Sequence, residues 1–205
     1  MSANTDHPAH VAEFTGKYET ETGRIARTLL GNFYTTLGKL IPSDVSAVLE
    51  AGCGAGYSAE RILPLLPAGA TYEGSDIGED LITIAREKVP SVSFAVESIY
   101  DLQRPDNSYD CTLALETLEH LDDPLAALRE LKRVSRKYVI LSVPREPLWR
   151  ILNMSRAKYL SDFGNTPGHL NHWSSRGFAR FVSQELTVLE LRKPLPWTML
   201  LAKID

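Results

Sequence analysis

Glu50-Ala51-Gly52-Cys53-Gly54-Ala55-Gly56 places a glycine at every second position, between a short apolar run, Val45–Leu49, and an amphipathic stretch, Tyr57–Leu66. Glycine lets the backbone turn sharply and approach a ligand with no Cβ in the way. A strand, such a turn and a helix form the opening unit of a doubly wound α/β sheet, whose ligands bind where the strand order reverses.

The rest of the chain repeats that unit. Apolar spacing predicts a helix over 24–40 (Ile25, Leu29, Phe33, Leu37, Leu40), closed by Pro42. Strands follow at 45–49, 71–75, 92–96, 109–115 and 138–143, with helices at 57–66 (broken near Pro64), 79–88 and 124–134. Leu81, Ile84 and Ala85 are expected inward, and Asp123 with Pro124 forms a capped helix start. Residues 144–173 break the rhythm with Pro144, Pro147, Pro167 and Gly168, and read as a partly helical insertion. A helix at 176–183, capped by Ser174 or Ser175, leads to strands at 186–192 and 197–203, joined through Pro194 and Pro196 as an antiparallel hairpin. The expected fold is α/β: a Rossmann-like, doubly wound, seven-stranded mixed sheet, mostly parallel, with an antiparallel C-terminal hairpin and a helical lid. It is read as one domain over 1–205, with an N-terminal tail and lid helices (1–42), a binding core (43–143), an insertion (144–173) and a C-terminal helix and hairpin (174–205).

Composition excludes several classes. With 22 basic against 26 acidic residues in 205, the chain lacks the basic excess of nucleic-acid binders. Cys53 and Cys111 lie in glycine-rich or apolar runs and read as buried inert thiols, which suits a reducing cytoplasm. No signal peptide is read at Met1–His10, and no apolar run approaches the ~20 residues of a membrane span.

The glycines alone leave the ligand open. Read from Gly54, G-A-G-Y-S-A fits a relaxed dinucleotide fingerprint, and Asp76 lies about 20 residues on, as that fingerprint expects. Glu50 tips the balance. A carboxylate at the end of the first strand repels a pyrophosphate and suits a ligand without phosphate and with a cationic end. S-adenosylmethionine, with its ammonium and sulfonium, is such a ligand.

Three segments in order resemble the class I S-adenosylmethionine-dependent methyltransferases, within them the small-molecule "methyltransferase type 11" group. VLEAGCGAGYSAERI is similar to their motif I, and EGSDIGEDLITIAREK to their second strand and following helix. LQRPDNSYDCTLALETLEHLDDPLAALRELKRVSRKYVILSVP is similar to their fourth-strand region, which commonly shows D-N-S-F-D and then L-E-H-L-x-D-P. The resemblance spans about residues 45 to 143.

It implies S-adenosyl-L-methionine as cofactor, S-adenosyl-L-homocysteine as product and a role for each matching residue. Glu50 sits by the cationic amino-acid end. Gly52, Cys53, Gly54 and Gly56 pass backbone under methionine and ribose. Asp76 accepts from both ribose hydroxyls. Ile77 covers an adenine face. Ser98 stands where relatives carry an Asp for the adenine amino group, with Glu97 as substitute if the register slips, and Ile99 offers its N–H. Glu116 borders the methionine portion, and His120 sits one turn on. Tyr18, ahead of the first helix, reaches the ligand carboxylate.

The insertion supplies the acceptor side: Trp149, Tyr159, Asn171 and Trp173 for substrate, and His169, His172 and His120 as candidate bases, since imidazole titrates near neutral pH. Arg145, Arg150, Arg156 and Lys158 read as a solvated face. No metal is expected, because His169 and His172 show no third ligand nearby. The expected partner is a small-molecule acceptor, with no nucleic acid and no membrane span, on a monomer or homodimer. Competing readings are a non-catalytic S-adenosylmethionine-binding protein, an NAD-dependent oxidoreductase, and a methyltransferase acting on RNA or protein.

Overall fold

A computed structural model describes residues 23–205. Helix α1 (Arg24–Leu40) precedes β1 (Ala47–Ala51), α2 (Tyr57–Ile62), β2 (Thr71–Asp76), α3 (Glu79–Lys88), β3 (Ser93–Val96) and β4 (Tyr109–Leu115). Then come α4 (Pro124–Val134), β5 (Ser135–Pro144), α5 (Leu148–Ser155), α6 (Ser175–Val182), β6 (Thr187–Arg192) and β7 (Trp197–Lys203). Short 3-10 turns lie at Leu63–Leu65, Leu118–His120 and Leu160–Asp162.

The strands form one seven-stranded sheet in the order β3-β2-β1-β4-β5-β7-β6. β1 to β5 run parallel, and β7 pairs antiparallel with both β5 and β6. The chain leaves β1 in one direction and returns to β4 on its other side. The C-terminal ends of β1 and β4 therefore flank the switch point where doubly wound sheets bind ligands.

Period-two alternation divides the core. Val48, Cys111, Leu113, Ile140 and Met199 face one layer with α1, α2 and α3. Leu49, Ala114, Val139, Leu141 and Leu200 face the other with α4 and α6. Each fully buried leucine contributes about 1.5–3 kcal/mol, so burial on both faces explains the near-continuous apolar strands. Asp123 caps α4, accepting from the Ala126 amide at 3.0 Å, and Ser174 caps α6, accepting from Gly177 at 3.1 Å.

The structure departs from the sequence reading in three places. β1 starts two residues later than the apolar run, because Ser46 turns away and donates its amide and hydroxyl to Asp110 at 2.7 and 2.6 Å. β5 extends back to Ser135, three residues before the apolar run: Arg136 reaches Asp110 at 2.6 Å and Lys137 reaches Asp44, so these cations brace the sheet. In α3 the buried pair is Ile82 and Ala85, while Leu81 and Ile84 lie half-buried on its flanks.

Candidate functional site

The glycine-rich loop closes on itself and on β2. Gly52 and Cys53 both donate to the Ser75 carbonyl, at 2.7 and 3.0 Å. Gly54 donates to Asp76 Oδ2 at 2.9 Å, and Gly78 to Asp76 Oδ1 at 2.8 Å. Each carboxylate oxygen keeps a lone pair beyond that bond, so Asp76 holds the loop and still presents acceptors to a ligand. Gly52 sits at φ +81°, and a Cβ there would lie 2.6 Å from two Thr117 side-chain atoms. Gly56 sits at φ +75°, 3.0 Å from Ala85 in the same sense. Only glycine makes this turn at this distance.

The loop floors a cavity whose lining includes Phe33, Tyr34, Glu50, Gly52, Tyr57 and Glu116. Glu50, at the end of β1, is 1% exposed. Its Oε2 accepts from the Ser58 hydroxyl at 2.7 Å and from the Tyr72 hydroxyl. Burial raises its pKa to about 7, against the lowering effect of those two donors. Burial also pushes the neighbouring Tyr34 and Cys53 well above their ordinary ranges, with the Glu50 charge adding to it.

Glu116 leaves β4 at φ +57°, a strained conformation for a side chain with a Cβ. Ser142 on β5 holds it there: its carbonyl and hydroxyl accept the Glu116 amide, and its hydroxyl donates to Glu116 Oε1 at 2.9 Å. Two carboxylates thus line the cavity and a third, Asp76, braces its loop, while no lysine or arginine is among the described lining residues.

The residues expected on the adenine side lie at and just after the ends of β2 and β3. Ile77 is 73% exposed on the rim. Glu97 donates its amide to the Asp76 carbonyl, and its side chain turns to Arg104. Ser98 Oγ accepts the Tyr100 amide at 3.3 Å, and the Ile99 side chain packs in the core. Tyr18 lies outside the described residues.

The insertion returns to the 3-10 turn after β4. Leu170 and Asn171 donate their amides to the Glu119 carbonyl at 2.8 and 3.0 Å, and the Asn171 side chain donates to the Leu118 and Leu121 carbonyls. This strap brings His169 against His120, edge to face, with 4.8 Å between ring centroids. Trp149 stacks on His169 and donates its indole N–H to Thr166.

The other acceptor-side candidates go elsewhere. His172 is hydrogen-bonded to Asn165 at 2.6 Å. Trp173 packs on Phe178 and Phe181 of the core. Tyr159 opens a 3-10 turn in the insertion. Arg150 and Arg156 donate to insertion carbonyls, so they stitch the segment rather than face solvent alone.

Several contributors escape a sequence reading. Phe33 and Tyr34 belong to the buried face of α1 and read as core. Tyr72 and Ser58 come from different elements and meet only through Glu50. Glu119 carried a signal, its place beside His120 in the L-E-H-L run, but its burial at 1% exposure is a tertiary fact.

Residues 49–143 match a family profile described as a methyltransferase domain. An uncharacterized methyltransferase of Schizosaccharomyces pombe is 36% identical over 99 residues, 43% of this chain and 36% of that protein. A ubiquinone biosynthesis O-methyltransferase of Xanthomonas oryzae is 30% identical over 122 residues, 56% of this chain and 50% of that protein. The chain thus spans half or less of the length of these relatives. Among solved structures, a SAM-dependent methyltransferase from Aquifex aeolicus superposes with a TM-score of 0.69 at 19% identity, over 97% of this chain and 98% of that one. Magnesium protoporphyrin IX methyltransferase from Synechocystis, with bound SAH, gives 0.67 at 17% identity, over 95% of both. At these identities the two structures establish a shared fold.

Proposed function

We propose that this chain, a member of the class I S-adenosylmethionine-dependent methyltransferases through its domain at residues 49–143, binds S-adenosylmethionine over its glycine loop and methylates a small organic acceptor. The observation that carries the reading is the acidic lining of a glycine-floored cavity, with Glu50 and Glu116 at the switch point and Asp76 bracing the loop. A dinucleotide would bring a pyrophosphate to the same carboxylates, which disfavours the oxidoreductase alternative.

The cofactor supplies a methyl group already activated on a positive sulfur. The protein's own work is placement and charge. Asp76 presents its remaining lone pairs to the ribose hydroxyls, and Gly52 lets backbone come close with no Cβ to fill the space. Glu50 and Glu116 favour the cationic amino-acid end. Ile77 at the rim covers adenine, with Ser98 and Ile99 at its edge.

The acceptor approaches from the His120–His169 corner, over Trp149. Holding two reacting atoms in line at contact distance supplies several kcal/mol of the rate enhancement. An acceptor oxygen or nitrogen loses a proton as it is methylated, and His120 and His169 are the groups that take it. His172, on Asn165, orients the strap.

No helix among the described residues is long and apolar enough to cross a membrane. Cys53 and Cys111 are buried free thiols, which suits the cytoplasm.

Calorimetry tests the reading. S-adenosylhomocysteine is expected to bind at micromolar concentration or tighter and NAD not at all. Transfer of label from methyl-labelled S-adenosylmethionine to a small molecule of a cell extract identifies the acceptor. Binding of NAD without either sulfur nucleoside would overturn the assignment.

A further inference from the structure

The corner that joins the insertion to the β4 exit holds three metal-ligating groups. Glu119 and His120 come from the 3-10 turn Leu118–His120, and His169 from the strap. One ligand atom from each lies within 4.8 Å of the other two, and Glu119 and His169 are 1% and 5% exposed. The sequence pairs His169 with His172 by spacing. The fold instead pairs His169 with His120 and adds a buried carboxylate, the third ligand that the local sequence lacks.

The tautomer of His120 follows from its partner. Its Nδ1 lies 3.0 Å from the Gly168 carbonyl oxygen. A carbonyl only accepts, so Nδ1 carries the hydrogen. Nε2 then faces Glu119 Oε1, 3.9 Å away, and in the neutral ring it is the nitrogen that carries the lone pair. An imidazole fixed at one nitrogen by a backbone carbonyl, with the other nitrogen turned toward a carboxylate, is the arrangement that surrounds protein-bound zinc.

The same turn therefore does two things. Gly168 orients the first histidine, and the next residue supplies the second. The turn is tied down by the Leu170 and Asn171 amides on the Glu119 carbonyl and by the Asn171 side chain on Leu118 and Leu121. Such outer bonds hold ligands in place before a cation arrives.

We propose that Glu119, His120 and His169 form a binding site for a borderline divalent cation of the zinc or cobalt type. Two imidazoles and one carboxylate are the donor set of catalytic zinc sites, which leave a further position for water or substrate. Ligand atoms around a tetrahedral zinc lie about 3.3 Å apart, so the widest pair closes by up to about 1.5 Å on binding. With the cation present, an acceptor hydroxyl at the open position would be acidified and would pass its proton to solvent, and the two imidazoles would serve as ligands in place of the role as bases proposed for the metal-free corner. The site is argued from its own donors and does not depend on methyl transfer.

The test uses the full chain, stripped with a chelator and dialysed against zinc or cobalt(II) alone. One equivalent of metal is expected by mass spectrometry, and the cobalt form should show the intense visible bands of a low-coordinate site. His120→Asn and His169→Asn should each weaken binding about a hundredfold or more, and His172→Asn should leave it within about twofold. Melting temperatures show whether each variant is folded, and the half-exposed His120 gives a variant least prone to unfold. Metal retained by both His120→Asn and His169→Asn, or sub-stoichiometric binding to the wild type, would overturn the site. S-adenosylhomocysteine affinity measured on the same samples reports separately on the cofactor cleft.

Discussion

Asp76 Oδ2 accepts the Gly54 amide at 2.9 Å while Oδ1 accepts the Gly78 amide at 2.8 Å, so one side chain ties the loop after β1 to the start of α3. The same carboxylate is the proposed anchor for two ribose hydroxyls. On that proposal, structure and ligand binding are coupled through it.

Replacing Asp76 separates those roles. Asp76→Asn keeps an acceptor and the side-chain shape but loses the charge. Hydrogen bonds to a charged group are worth about 1.5–3 kcal/mol, so S-adenosylhomocysteine should bind about tenfold to a hundredfold more weakly, and the melting temperature should fall modestly because one of the Gly54 and Gly78 amides then faces an NH2. Asp76→Ala should lose both affinity and thermal stability. Calorimetry and melting curves on the two variants check this.

Glu50 predicts a proton linkage. Its folded pKa is raised to about 7 by burial, against an unfolded value of about 4.3. The stability it contributes to the ligand-free protein is full below the unfolded value and is lost as pH rises through about 7. A cationic ligand favours the carboxylate, so binding near pH 6 should release roughly one proton, and affinity should rise with pH and level off above about 7. Calorimetry in buffers of different ionisation enthalpy reads the release directly. Glu50→Gln should abolish it.

Gly52→Ala places a methyl group against Thr117 at 2.6 Å and a Cβ at φ +81°. The expected cost is about 1–3 kcal/mol of stability, together with loss of cofactor binding. Adding Thr117→Ala removes the two 2.6 Å contacts but leaves a Cβ at 3.2 Å and the left-handed conformation, so the double variant should recover part of the stability and remain about 1 kcal/mol or more below wild type. Urea melts of the three proteins test the division.

Asp110 anchors the sheet at the opposite end from the site. It is 2% exposed and accepts from Ser46, Ala47 and Arg136. The Arg136 guanidinium and the Ser46 donors hold it far below the usual carboxylate range. Its stabilisation is present above the unfolded value of about 3.9 and is lost as pH falls below that. Asp110→Ala should cost about 2–3 kcal/mol at neutral pH and flatten the acid limb of the stability profile, with S-adenosylhomocysteine affinity unchanged.

Asn171→Ala removes the side-chain bonds to Leu118 and Leu121 while the backbone amides remain. It should raise KM for the acceptor, once that is identified, by about tenfold, and leave affinity for S-adenosylhomocysteine within about twofold, since the hydrogen bonds of Asn171 go to Leu118, Glu119 and Leu121. Steady-state kinetics and calorimetry separate the two effects.

The proposed donor half of the site could be read from sequence because local rules govern its geometry. The glycines of the loop, Asp76 at the next strand end and the capping pair Asp123-Pro124 each act within a few residues of their position. Strand count and the terminal hairpin followed from the same periodicity. The acceptor half was less legible, because it depends on where a long insertion lands. Spacing in PGHLNHWS gave equal weight to His169, Asn171, His172 and Trp173. Tertiary contacts separate them: His169 turns toward His120, Asn171 ties the strap, His172 meets Asn165, and Trp173 fills a hydrophobic layer beside α6. Ser58 and Tyr72 bear on Glu50 from two different elements, a convergence that periodicity does not encode.

Two of the bonds that fasten the strap at Leu170 and Asn171 run between main-chain atoms, from two amides to one carbonyl. Main-chain attachments are indifferent to most amino-acid replacements. A lineage carrying this scaffold can thus exchange the lining of the proposed acceptor corner, residue by residue, while the mooring persists and the proposed nucleoside side stays untouched. Divergence in what is methylated is then expected to accumulate faster than divergence in how the donor is held.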